Sequence, residues 1–198
     1  MDLDACLDIL KARSKCDHEH EAVPCSVESV AHTLEHSLKV EEPSADDLAE
    51  MAIVQLYNAF LACQTKRVEI YAEFEKGFVE LMWKEEFAVF SQEITKHFAT
   101  VSARINRIEQ CLREKMANDL ANLIRKIQVQ EKEKLLLTSA LLLERMRLER
   151  TRQDNAEDVS VGIYDTSIKK MQASNTKIIE TINDLLEEMR YAITELSE

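Results

Sequence analysis

The chain has 198 residues, 45% hydrophobic and 31% charged, with only two glycines and two prolines. So few turn formers exclude a fold rich in tight turns, and the mixture is that of long amphipathic helices, so the expected class is all-α. The formal charge of −12 argues against nucleic acid or an anionic membrane as the default partner, because phosphate binding depends on clustered Lys and Arg.

That charge is uneven: −9 over residues 1–50, −2 over 51–100, +5 over 101–152 and −6 over 153–198. A mildly basic middle lies between two acidic ends. The five cysteines, Cys6, Cys16, Cys25, Cys63 and Cys111, have no tandem spacing. They read as free thiols of a reducing compartment, and the absence of a long apolar run fits an intracellular protein.

Residues 1–43 form an acidic, loosely ordered arm in this reading, with two short amphipathic possibilities, Leu3, Leu7 and Leu10, then Val27, Val30, Leu34 and Leu38. Each is only about three turns, marginal for a helix alone in water. The arm holds a metal-like set, Cys16, His18, His20, Cys25, His32 and His36. Thiolates and imidazoles suit zinc, but the spacings match no standard finger and no second cysteine pair completes a site, so polar residues on a tail are the better reading. No metal, cofactor or catalytic residue is expected, and the chain reads as non-enzymatic.

A three-helix domain is expected over residues 44–150. Ser44 offers an N-cap, with Asp46 and Asp47 in the first turn where acids favour the helix dipole. The stripe Ile53, Leu56, Phe60, Cys63, Arg67, Ile70, Phe74, Gly77 and Leu81 alternates steps of three and four, a heptad-like seam with Arg67 and Gly77 as its exceptions. A break is expected near residues 82–86, because a second stripe starts in a new phase at Phe87 and runs through Phe90, Ile94, Phe98, Val101, Ile105, Ile108 and Leu112 to Met116. Asn118 and Asp119 supply cap chemistry for a third helix, whose face includes Leu120, Leu123, Ile127, Leu137 and Leu141. Gly77 is expected to allow close helix approach or a bend, and Arg67 to pair with a carboxylate on a neighbouring helix.

Residues 151–164 lose the apolar period, include Gly162 and read as a linker. Residues 165–198 then give a C-terminal amphipathic helix with the seam Ile168, Met171, Asn175, Ile178, Ile182, Leu185, Met189, Ala192 and Leu196. Asn175 falls at an a position, where a polar side chain fixes register in two-stranded coils. The helix docks on the leucine-rich third helix, self-pairs as a homodimer through residues 165–198, or awaits another protein, since heptads do not identify their partner. The fold expected is an antiparallel three-helix bundle with this added heptad helix.

Glycines only at 77 and 162 exclude a phosphate-cradling loop. Arg125, Lys126, Lys132, Lys134, Arg145, Arg147, Arg150 and Arg152 offer the best case for nucleic acid, but they spread around the helix and alternate with Glu144 and Glu149. A usable site needs a one-sided patch, so direct nucleic-acid binding is disfavoured.

Two segments add a resemblance. Gln64, Thr65, Lys66, Arg67, Val68, Glu69, Ile70 and Tyr71, followed by Glu75 and Gly77, resemble one segment of the "required for excision" B-type DNA-repair domain family. Residues 130–141, QEKEKLLLTSAL, resemble the segment that closes the same domain. The resemblance covers about residues 50–150 and carries no assigned active site. It implies a small helical protein of DNA excision repair that acts through partner proteins, with the nucleus as the implied compartment. A coiled-coil scaffold with no DNA role is the alternative.

Overall fold

A computed structural model describes residues 45–155 and 157–196, and these fold as five helices with no strand among the described residues. They are α1 (Ala45–Glu50), α2 (Ile53–Leu81), α3 (Phe87–Glu114), α4 (Asn118–Asp154) and α5 (Val159–Glu195). The chain is all-α. The acidic arm and its Cys16, His18, His20, Cys25, His32 and His36 lie outside the described residues.

The expected seams are the faces that bury. Leu56, Phe60, Cys63, Arg67, Ile70, Phe74, Gly77 and Leu81 of α2 are buried, and so are Phe87, Phe90, Ile94, Phe98, Val101, Ile105, Ile108 and Leu112 of α3. Leu120, Leu123, Ile124 and Ile127 of α4 join them, and Ile178, Ile182, Met189 and Ile193 of α5 close the same core. α5 packs along α4, so its seam is occupied within the chain, with Ile168, Ile178, Ile182 and Met189 all buried.

Gly77 lets the Phe90 ring of α3 lie against the backbone of α2. A methyl group at its Cα would overlap the far edge of the Phe90 ring, which is itself buried. Without that glycine the two backbones would have to stand further apart along this stretch.

Four boundaries differ from expectation, each for a local reason. The first helix does not run on from Ser44, because α1 ends at Glu50 and α2 begins at Ile53. Ala52 has extended backbone, and its N–H donates to Gln55 Oε1 at 2.8 Å, a half capping box that restarts the helix. Met116 is not on the α3 seam: it is 80% exposed with φ 63°, in the left-handed region. The Ala117 N–H reaches back to Leu112 O and the Met116 N–H to Arg113 O, which is a Schellman ending with methionine where glycine is usual. Ala117 therefore caps α4, and Asn118 is its first helical residue.

The fourth difference is the linker. α4 continues to Asp154 and α5 starts at Val159, so most of residues 151–164 is helical and only residues 155–158 connect. Asp158 caps α5 by accepting from the Ser160 N–H at 2.7 Å, which holds its carboxyl below the ordinary range. The period fades there because this end is two helices thick. Leu141, Leu148 and Ile168, with Val161, Tyr164 and Met171 beside them, form a second, smaller core. At 37 residues and ~1.5 Å per residue, α4 outruns the 29-residue α2, leaving this α4–α5 end as an arm.

Gly77→Ala tests the close approach. Alanine favours a helix by about 1 kcal/mol over glycine, whereas overpacking a core costs about 1–3 kcal/mol, so the variant is expected to be less stable. In a Phe90→Leu background the same change is expected to turn neutral or stabilising. Urea unfolding of the four proteins measures this, and additive effects would place Phe90 away from Gly77.

Candidate functional site

Arg67 occupies a core position of α2 and is only 3% exposed. Its Nη1 donates to Gln64 Oε1 at 2.9 Å, while Nη2 donates to Gln128 Oε1 on α4 at 2.6 Å and to Ser102 Oγ on α3 at 3.3 Å. One guanidinium thus joins three helices. Gln128 Nε2 donates in turn to Asn106 Oδ1 at 3.3 Å, tying α4 to α3 a second time.

The expected carboxylate partner is corrected by this geometry: Arg67 is held by two amide oxygens and a hydroxyl. Burial pushes its pKa down, and Glu131 on α4 opposes that from within electrostatic range. Glu131 is engaged elsewhere. Tyr71, one turn after Arg67, directs its hydroxyl to Glu131 Oε2 and to the Glu131 carbonyl, both at 3.4 Å. Lys134 Nζ lies 3.9 Å from Glu131 Oε2 and 3.9 Å from the Tyr71 ring centroid, a cation–π contact. Phe98 of α3 packs edge-on against the same ring, with centroids 4.8 Å apart.

Burial, reinforced by Glu131, pushes the Tyr71 phenol well above its ordinary range, so it remains a neutral donor. Burial also lowers Lys134, against the pull of Glu131. A phenol that holds its proton this tightly cannot act as a base near neutral pH. The donors and acceptors of the cluster face one another, an arrangement that fixes the register of α2, α3 and α4.

A second buried carboxylate is organised in the same way at the α3–α4 edge. Glu109, 3% exposed, receives Arg113 Nη2 at 3.0 Å and Arg125 Nη2 at 2.8 Å. The Glu109 and Arg113 pair follows from the spacing, whereas Arg125 is an addition from another helix. Half of the basic residues of α4 lie in ion pairs: Arg125 with Glu109, Lys134 with Glu131, Arg147 with Glu144 and Arg152 with Asp165. His97 belongs to neither cluster; it is half-buried on α3. Cys63 and Cys111 are both buried. Among the described residues no group of three or more His, Cys, Asp or Glu is placed to hold a metal ion.

The two segments singled out in the sequence meet here. Gln64, Arg67 and Tyr71 come from the first, and Glu131 and Lys134 from the second, about 60 positions on, as the Tyr71–Glu131 bond records. A family model described as DNA repair REX1-B matches residues 55–145. The match takes in both segments and the helices between them, stops before α5, and supports a role related to DNA repair. Its description names DNA repair without an excision step, so the excision wording goes further than the match. Comparison with curated proteins and with solved structures gives no match.

Two substitutions test the cluster. Arg67→Met keeps the length but leaves the buried Gln64 and the half-buried Ser102 and Gln128 without their donor, and is expected to cost about 2–4 kcal/mol in urea unfolding. A loss below about 0.5 kcal/mol would mean that the guanidinium does not hold the helices. Tyr71→Phe is expected to cost about 1 kcal/mol at neutral pH.

Its pH dependence is more telling. Because the folded pKa of Tyr71 is raised, its contribution is complete below about pH 10, where an unfolded tyrosine titrates. Above that the unfolded chain releases the proton and the folded chain keeps it, so stability falls as pH rises. Lys134, lowered by burial, works in the opposite sense but is present in both proteins. The stability difference between wild type and Tyr71→Phe is therefore expected to shrink between about pH 9 and 11, and a constant difference would place the phenol in water.

Proposed function

We propose that this chain is a non-enzymatic helical protein of a DNA-repair pathway that works by holding partner proteins, with the nucleus as its compartment. The observation that carries the reading is the fate of the family-like segments. Gln64, Arg67, Tyr71 and Glu131, the polar groups that would be searched first for chemistry, turn inward and are met by one another and by Gln128. Such a cluster specifies a shape, and a shape is what an interaction module presents to others.

Direct DNA binding is the weaker alternative. Arg125, Lys134, Arg147 and Arg152 of α4 each lie within ion-pair distance of an acid, and the chain carries a charge of −12. No helix of the described residues is long and apolar enough to cross a membrane.

Proximity labelling from the full chain in cells, with and without DNA damage, is expected to enrich repair proteins and to do so more strongly after damage. Neighbours indifferent to damage and unrelated to repair would favour a scaffold with no DNA role. In parallel, labelled duplex DNA titrated at about 50 and 200 mM salt should show no binding at either, since phosphate contacts strengthen as salt falls. Binding that appears at the lower salt and collapses at the higher would make the chain a DNA binder.

A further inference from the structure

α2 carries a second apolar stripe on the side away from the core. Val54, Val68, Ala72 and Val79 share this face, roughly 150° from the buried seam at ~100° per residue, and Trp83 follows in the turn just past the end of α2, whereas Leu61, in the same register, is half-buried and packs against the core. Val54 is 46% exposed, Val68 64%, Val79 68% and Trp83, the chain's one tryptophan, 51%. Thr65, within the stripe, turns its hydroxyl back to Leu61 O at 3.2 Å and leaves its methyl outward. Isolated surface valines need no explanation, but residues in register along about seven turns of helix, followed by an exposed tryptophan, have the anatomy of an interface.

Charge decides what can cover it. From residue 66 to residue 86 six carboxylates stand against three lysines, with Arg67 buried in the core. Glu69 and Glu80 are exposed beside the stripe, where Lys76 is the nearest lysine, and Lys66 is bonded to Glu69 at 2.9 Å. A second copy would set the acids of one α2 against those of the other, and anionic lipid headgroups would be repelled likewise. α5, the remaining long helix, already has its seam on α4.

We infer that the outer face of α2 is the docking site for a single amphipathic helix of another protein, with small aliphatic residues in its seam and Arg or Lys on its flanks. Val68 and Val79 pack against that seam, Trp83 closes one end, and Glu69 and Glu80 meet the basic flank. This rests on the reading of the chain as an interaction module and names the kind of partner that the module takes.

The probe is a synthetic, tryptophan-free amphipathic peptide of about three heptads with leucine at the seam and arginine on the flanks, beside a twin with glutamate on the flanks. Titrated into the full chain, the arginine peptide is expected to shift the Trp83 emission to the blue and to bind at least about tenfold more tightly than its twin. Val68→Glu/Val79→Glu is expected to weaken it by at least about tenfold with the urea midpoint unchanged, because both sites are exposed. That variant adds negative charge, so a merely electrostatic association would strengthen instead. Equal affinity for the two peptides, binding to neither, or full affinity in the double variant would overturn the proposal. So would a Trp83 emission that moves with protein concentration alone, which would assign the face to a second copy. Damage-dependent labelling that survives Val68→Glu/Val79→Glu would remove this face as the docking site while leaving the repair reading intact.

Discussion

A guanidinium taken out of water costs several kcal/mol unless its donors are met, and the rest of this bundle is arranged so that those of Arg67 are. The acceptors come from α2, α3 and α4 at one level, Gln64, Ser102 and Gln128. An apolar seam alone tolerates sliding by a heptad, since one leucine or phenylalanine layer resembles the next. The Arg67 level does not, because a slip would leave a buried cation facing hydrocarbon. Gly77 and Phe90 set how closely α2 and α3 approach, Arg67 sets how far each helix is advanced, and one turn further Tyr71, Glu131 and Lys134 repeat the constraint. The three levels together leave α2, α3 and α4 a single alignment.

Much of this is written in local residue pattern. The seams of α2 and α3 are readable because burial on one side imposes a period of three and four, and Gly77 stands out because a glycine in the middle of such a seam calls for a close approach or a bend. What the pattern misses are places where backbone or partner geometry replaces side-chain identity. Met116 ends α3 in a conformation usually given to glycine, so no residue type announces the stop. Residues 151–164 look like a linker because two packed helices require little more than one apolar residue per turn. Arg67 is visibly out of place in a seam, yet its acceptors lie far along the chain at Ser102 and Gln128, and neutral polar residues on helices carry no sign of which cation they will meet. The outer stripe of α2 is masked for a related reason, since the stronger inner period dominates the same residues.

The inward placement of the family-like segments separates two properties that are often fused in enzymes. In an active site the residues that identify a family are the ones that touch its substrate. Here Arg67 is met by Gln64, Ser102 and Gln128, and Tyr71 by Glu131 and Lys134, while Val68, Ala72 and Val79 of α2 face outward. Every outward residue inherits its position from the inward one beside it. A substitution at Arg67 would therefore disturb an outer contact without taking part in it.

The α4–α5 arm obeys a different constraint from the bundle. Along α5, Ile168 belongs to the small outer core and Ile178 to the main one, and Asn175 lies between them with its side-chain oxygen buried and no hydrogen-bond partner among the protein groups. A buried acceptor left unmet costs about 1–3 kcal/mol, so the packing is weakest where the two cores join. The outer core has only Leu141, Leu148 and Ile168 fully buried, and the Arg152–Asp165 pair beside it is exposed on both sides, which gives little return at physiological salt. Local opening takes the least stabilised unit first. The arm can part beyond Asn175 while Arg67, Tyr71 and the main core stay closed, so motion at that end leaves the register of the bundle, and with it the outer face of α2, unchanged.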